Sequence, residues 1–360
     1  MLYGGVDIHK RYSVMSVINE RGECLETKRF ENNRAELQEI LDRYKGETFK
    51  AVIEAGLNWG VMYDMLWEME GIVDVKLANA SKVKAIASGK IKTDKIDSKI
   101  LGQMLRMDYI PEVWVPDNPT RVLREVARYR LFTVKFKTML KNRIHDILLK
   151  SHIEVPELRD LFGSHGLKFL ESLELKDKNY DILLKRQLAL LKQMKEEDKE
   201  MQEVLEMELK DRSDIKLLRS IPGIGKVFGQ LIILEISDIG RFANAQKLCS
   251  YCGLAPSIHS SGNTSYHGKL VIGNKWLRWA FIEASHSAIN VSPYFKKHYV
   301  NVKNRAGTSG ATISVARKLA TVAYHVLKEK RDYIELLPDN KGHLPSVGAS
   351  RSFTPDSCQV

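Results

Sequence analysis

The apolar positions of the first 110 residues switch between a period of two and a period near four. Residues 2–8 (LYGGVDI) form a short apolar run containing an acid near its end. Residues 12–19 (YSVMSVIN) form a second run and residues 26–30 a third, with Arg21 and Gly22 marking the turn between them. Leu37, Ile40, Leu41 and Tyr44 then share one helical face, and Asn32 or Asn33 stands where a helix cap belongs. A buried-type strand over 49–53 runs into Glu54-Ala55-Gly56. A helix follows over 59–69, a strand over 73–77, and an amphipathic helix over 94–107 with Ile96, Ile100, Leu101 and Leu105 on one face. The order is β-β-β-α-β-α-β-α. Three strands joined by tight turns, followed by strands joined through helices, predict a mixed sheet with helices packed on its faces.

Beyond Pro119 the pattern becomes helical. Residues 121–150 suit one long amphipathic helix, residues 153–165 with Pro156 and Gly163 a connector, and residues 181–209 a second long helix with an imperfect heptad, a coiled-coil candidate. A mostly helical unit follows, opening on Ile221-Pro222-Gly223-Ile224-Gly225. The expected organisation is therefore α/β plus α: an α/β domain over 1–118, a long helical region over 119–213, a helical domain over 214–335, and a disordered tail rich in Pro, Gly and Ser over 336–360.

Charge narrows the partners. Lys and Arg number 56 against 45 Asp and Glu, a formal +11, which favours a polyanion, either nucleic acid or an anionic membrane surface. Much of the excess sits in residues 121–150, where nine Lys or Arg face Glu125 and Asp146, with Tyr129, Phe132 and Phe136 interleaved. Such a helix reads as a phosphate-binding face or as a solvated one. A composition 44% hydrophobic and 28% charged excludes wholesale disorder. No apolar run is long enough for a membrane-spanning helix, and residues 1–7 lack the pattern of a signal peptide. Four cysteines are too few for a disulfide framework, so a reduced, cytoplasmic protein is expected. Cys249 and Cys252, with His259 and His267 downstream, have the count for a zinc site, but the spacing and apolar neighbours favour core cysteines.

Four acids stand out. Asp7 lies at the end of the first strand and Glu54 at the end of the fourth. Asp94 and Asp97 are three apart, on one side of one helix. Each alone reads equally well as a solvated acid, and Asp94 as a helix-start residue. Together they fall where neighbouring strand ends meet a helix, and four like charges share a small site only if cations neutralise them. Oxygen donors of this kind suit Mg²⁺, with Mn²⁺ as an alternative, and phosphoryl transfer as chemistry. Lys92 and Lys95 lie beside the Asp pair and would rim such a site with positive charge. The PGIG turn offers Gly223, Gly225 and Lys226 as a helix-hairpin-helix phosphate contact, or is a plain connector. The Ser- and Gly-rich segment 253–262, expected as a polar loop, precedes Lys275 and Arg278.

Taken together, Gly4-Gly5-Val6-Asp7-Ile8-His9-Lys10, Ile53-Glu54-Ala55-Gly56 and Lys92-Thr93-Asp94-Lys95-Ile96-Asp97-Ser98 resemble the RuvC-like, RNase H-fold domain of DEDD transposases. Residues 221–225, Gly253-Leu254-Ala255-Pro256, Ser261-Gly262 and Gly273-Asn274-Lys275-Trp276-Leu277-Arg278 resemble the second transposase domain of the same group, insertion sequence family one hundred and ten. The chain departs from that group between Gly268 and Gly273, where only four residues stand.

The resemblance implies a bridge-RNA-guided recombinase. Asp7, Glu54, Asp94 and Asp97 would bind Mg²⁺, and Ser261, or the adjoining Ser260, would be the nucleophile forming a phosphoserine with DNA. Its partners would be target and donor DNA and a structured noncoding RNA. It would act as a dimer or tetramer with composite active sites, on the prokaryotic nucleoid. Arg124, Arg128, Lys135, Lys275 and Arg278 are further candidates for nucleic-acid contact. Two alternatives stay open: a structure-specific endonuclease using only the four acids, and a non-catalytic nucleic-acid-binding scaffold, which the presence of all four acids disfavours.

Overall fold

The structure is a computed structural model. It describes residues 1–56, 58–87, 93–261 and 264–334, and the side chains of these apart from 258–269. Lys92, the tail from 336 and the side chains of Ser260, Ser261, His259 and His267 thus lie outside the described set. The chain divides into two compact units, Met1–Pro116 and Asp117–Val360.

The first unit is a five-stranded mixed sheet. Strands β1 (Leu2–Ile8), β2 (Tyr12–Ile18) and β3 (Cys24–Glu31) form an antiparallel meander, α1 (Arg34–Asp42) follows, and β4 (Phe49–Glu54), α2 (Trp59–Trp67) and β5 (Ile72–Ala78) add parallel strands on the other side of β1. The strand order is β3-β2-β1-β4-β5. Two helices, α3 (Ala80–Ile86) and α4 (Asp94–Arg106), complete the unit. Asn33 caps α1, its side chain accepting from the Glu36 backbone N–H at 2.9 Å.

Alternation along the strands separates two apolar layers. Val6, Ala51 and Ile53 join Leu37, Ile40, Met62 and Leu66 of α1 and α2 on one face. Val52 joins Val83, Leu101, Met104 and Leu105 of α3 and α4 on the other. On that second face, α4 lies directly on β1. A Cβ added to Gly5 would stand 2.0 Å from the Ser98 carbonyl oxygen and 2.4 Å from the Gly102 nitrogen, and one added to Gly102 would stand 2.8 Å from Ile18 Cδ1. Side chains are excluded there because backbone meets backbone. The contact is locked by a buried hydrogen bond between the Ser16 and Ser98 hydroxyls at 2.8 Å.

The second unit begins with two long helices, α5 (Asn118–Lys150) and α7 (Lys178–Glu208), joined through α6 (Ser164–Ser172). They pack along each other, with Leu140, Ile144 and Leu148 of α5 against Leu184, Leu188 and Leu191 of α7. The remaining core is built by α8 (Ser213–Arg219), α9 (Lys226–Ile236), α10 (Ala245–Tyr251), α11 (Lys275–Val291) and α12 (Pro293–Glu329). Cys249 and Cys252 are buried in it, as expected of core cysteines.

Residues 256–270 differ from the polar loop expected. They form an antiparallel hairpin, β6 (Pro256–Ser261) with β7 (Thr264–Leu270), in which Ser261 pairs with Thr264. The intervening Gly-Asn is a two-residue hairpin signal that the density of serines obscures.

Gly307 breaks α12. Its φ of 73° with ψ of 178° reverses the chain, so that His298 Nε2 and Ser314 Oγ, sixteen residues apart, meet at 2.8 Å. Burial, followed by the nearby cations Lys318, Arg305 and Arg317, pushes the His298 imidazole down to about 4.

Two predictions follow from this packing. Gly5→Ala forces backbone atoms apart and should cost about 1–3 kcal/mol, read as a lowered thermal midpoint by circular dichroism. His298 stays neutral in the folded chain down to about pH 4, whereas the unfolded chain protonates it near its ordinary 6.5. The unfolded state therefore binds the extra proton in that window, and stability falls as pH drops through it. Melts of His298→Gln should show a shallower fall over the same range.

Candidate active site

Strand parity decides which side chains meet α4. Gly5 and Val52 point to that helix, so Asp7 and Glu54, two residues further along the adjacent parallel strands, point to the same side. Leu101 faces the sheet, and Asp97 and Asp94 precede it by four and seven residues, on the same helix face. The β1–α4 contact at Gly5 thus carries the first turn of α4 to the end of β1.

Thr93 caps α4, its hydroxyl accepting from the Ile96 N–H at 3.3 Å, which places both acids in the turn where backbone N–H groups favour negative charge. Tyr12 donates its hydroxyl to Asp94 Oδ2 at 3.1 Å, and its own ring lies under the Arg29 guanidinium at 3.6 Å. The hydrogen bond to the Asp94 carboxylate raises the Tyr12 phenol above its ordinary value.

A histidine also enters this corner. His9 Nε2 stands 3.3 Å from Asp7 Oδ2 and 3.1 Å from Asp94 Oδ2. Asp7, His9 and Asp94 form the one group among the described residues whose ligand atoms all lie within 4.8 Å of one another. Glu54 and Asp97 stand outside that group, on the faces just described. His9 lies within the first of the motifs above, where the sequence alone assigns it no role. The signal was its place two residues after Asp7 in a tight turn.

That turn is braced. The His9 N–H donates to the Tyr12 carbonyl at 2.9 Å, Asn32 Nδ2 donates to the His9 carbonyl at 2.7 Å, and Ser13 donates to Asn32 Oδ1 at 2.6 Å. Two carboxylate oxygens and an imidazole nitrogen are a donor set for a divalent cation. The solvent-shielded His9 Nε2, hydrogen-bonded to neither carboxylate, fits one.

The sites predicted for nucleic acid divide sharply. Lys95 is exposed beside the acids. Arg124 and Arg128 turn inward. Arg124 donates to the Leu234 and Glu235 carbonyls at 2.7 and 3.0 Å, and Arg128 grips both oxygens of fully buried Glu235 at 2.8 and 3.1 Å, with Asn274 Nδ2 donating to the same carboxylate at 2.7 Å. Lys226 pairs with Glu206 at 2.6 Å. Gly223, at φ 85°, is where the PGIG turn touches α11, since a Cβ there would lie 2.2 Å from the Ala284 carbonyl oxygen. Gly225 caps α9 with open space around it. Arg278 donates to the Val271 carbonyl at 2.5 Å and packs on Gly253.

Lys135 and Lys275 remain at the surface of Trp276, 5.9 and 4.9 Å from its ring. Close by on α5, Tyr129, Phe132 and Phe136 stack at 6.1 and 5.8 Å, with Tyr129 and Phe132 exposed. No described helix is long and apolar enough to cross a membrane.

The mixed sheet, with acids at the ends of β1 and β4 and at the head of α4, is an RNase H-like domain, here followed by a helical unit. Residues 4–153 match the family model described as "Transposase" for DEDD transposases of the IS110 type, and residues 215–300 match "Transposase IS116/IS110/IS902 family". An uncharacterized 44.8 kDa protein of insertion element IS116 from Streptomyces clavuligerus is 22% identical over 92% of this chain and 95% of its own length. A pilin gene-inverting protein of Moraxella bovis is 26% identical over 84% and 89%. The transposase for insertion sequence element IS1111A of Coxiella burnetii is 27% identical over 53% and 58%. The chain belongs to the IS116/IS110/IS902 family of transposases, and is by class a DNA transposase or site-specific recombinase.

The contrast among the basic residues gives a test. Arg128→Ala removes the main partner of a buried carboxylate and should cost about 3–5 kcal/mol in urea denaturation. Lys135→Ala, at the surface, should stay within about 0.5 kcal/mol.

Proposed function

We propose that this transposase recombines DNA under the guidance of a structured noncoding RNA, through a covalent serine–phosphate intermediate formed beside a divalent-cation site. The observation that carries the reading is the acid corner, in which Asp7 and Asp94 come together at the end of β1 with Glu54 and Asp97 on the adjoining faces. Asp7, Glu54, Asp94 and Asp97 are the residues proposed to hold the cation. A divalent cation so held supplies charge stabilisation to a phosphate in displacement. Tyr12 keeps the Asp94 carboxylate in place through its hydroxyl.

The proposed nucleophile is Ser261, at the end of β6 within the segment matching the second family model. As its Oγ–P bond forms, the bond from phosphorus to a sugar oxygen breaks, and that oxygen leaves as a hydroxyl. Attack by the sugar hydroxyl of the exchanged strand then rebuilds a phosphodiester and restores the serine. One ester replaces another, so no external energy source is needed. In an assembly of two or four copies, a serine of one copy is proposed to serve the acids of another.

The formal +11 and the lysines at Trp276, next to the stacked α5 aromatics, support a nucleic-acid surface. Sequence choice would then rest on base pairing rather than on protein contacts.

The test is recombination of plasmid-borne target and donor sites with the element's flanking noncoding RNA supplied. Asp94→Ala and Ser261→Ala should each lower product at least 10²–10³-fold, the order seen when one transition-state stabiliser is lost. Ser261→Ala should also lose the denaturant-stable protein–DNA adduct. Normal strand cleavage by Ser261→Ala would instead identify a nuclease working through the acids alone. An adduct that survives in Ser261→Ala and disappears in Ser260→Ala would move the nucleophile by one residue.

A further inference from the structure

We infer that His9 is itself a ligand of the cation, making the site a mixed nitrogen–oxygen centre that favours Mn²⁺ over Mg²⁺. This rests on the reading of the acid corner as a metal site, and deepens it. Three observations converge on His9. Its Nε2 lies at 3.3 and 3.1 Å from one oxygen each of Asp7 and Asp94. Ligand atoms at right angles on a cation with bonds of about 2.0–2.2 Å stand roughly 3 Å apart, so these separations are those of neighbouring corners of one coordination sphere. The same Nε2 is shielded from solvent and hydrogen-bonded to neither carboxylate. A nitrogen whose purpose was to bridge the two acids would hydrogen-bond to at least one.

The third observation is that the ring is held where it stands. Asn32 and Tyr12 fix the His9 backbone, and the Tyr12 ring packs against the imidazole at 4.7 Å between centroids. A ligand fixed in this way loses little conformational entropy when a cation binds. Tyr12 thereby serves both donors, packing on His9 and hydrogen-bonding to Asp94.

Mg²⁺ is a hard ion that takes oxygen almost exclusively, whereas imidazole is a donor for transition-metal ions, and Mn²⁺ is the transition-metal ion that shares with Mg²⁺ a preference for carboxylates. The nitrogen would therefore tilt selection between the two ions without touching the acids.

Pulsed electron paramagnetic resonance of the full-length protein loaded with Mn²⁺ alone tests this directly. The wild type should show the ¹⁴N coupling of a directly bound imidazole. His9→Ala should lose it, and its Kd for Mn²⁺ should rise by at least the 10–100-fold that even an outer-sphere partner is worth, with a smaller change for Mg²⁺ in competition. Tyr12→Phe, which keeps the ring packing, should retain the coupling. Bound Mn²⁺ without nitrogen coupling in the wild type would overturn the role of His9 while leaving the acid corner standing. Mn²⁺ affinity unchanged in Asp94→Asn would overturn both.

Discussion

Where α4 crosses β1, the two backbones come into contact with no side chain between them, because Gly5 and Gly102 face each other. Close packing of this kind fixes both the distance and the rotation of the helix over the sheet. The rotation matters most. Leu101 must face Val52, so Asp97 and Asp94 must face the ends of β1 and β4. Asp94 is therefore brought to Asp7 by an apolar contact about two helical turns away from it. The Ser16–Ser98 hydrogen bond, buried in the same seam, would be left unmet by any slip of the helix along the strand.

The second unit is organised around a charge rather than a glycine. Glu235 is fully buried, and Arg128 of α5 and Asn274, the N-cap of α11, both donate to it. A carboxylate in that setting is tolerable only with its partners in place, so the network ties together the helices that carry Lys135 and Trp276. The same helices present the stacked aromatics and the lysines, which gives the proposed nucleic-acid surface a rigid base.

The local features of the fold were legible in the sequence, and features depending on distant residues were not. The five strands, the Asn33 cap and the shared face of Asp94 and Asp97 each follow from spacing within a dozen residues. The inward turn of Arg124 and Arg128 does not, because their partner lies more than a hundred residues away on α9. A helix with seven excess positive charges reads as a binding face until that partner is known. Arg130 and Lys137 likewise meet Asp198 of α7. The place of His9 is not legible in the sequence because it depends on Asn32, just past the end of β3, and on a helix arriving from residue 94. The β6–β7 hairpin was hidden for a different reason: its strands are rich in serine and histidine, and lack the β-branched alternation that marks a strand.

The internal pairing of the α5 cations bears on how tightly any polyanion is held. The salt dependence of such binding counts only those cations that displace condensed counterions from phosphates. Arg124, Arg128, Arg130 and Lys137 each have a carboxylate or carbonyl of their own chain. They contribute to the isoelectric point but little to ion release. Any affinity of this protein for nucleic acid should therefore weaken less steeply with added salt than its formal charge suggests, and a larger share of it falls to stacking on the exposed α5 aromatics.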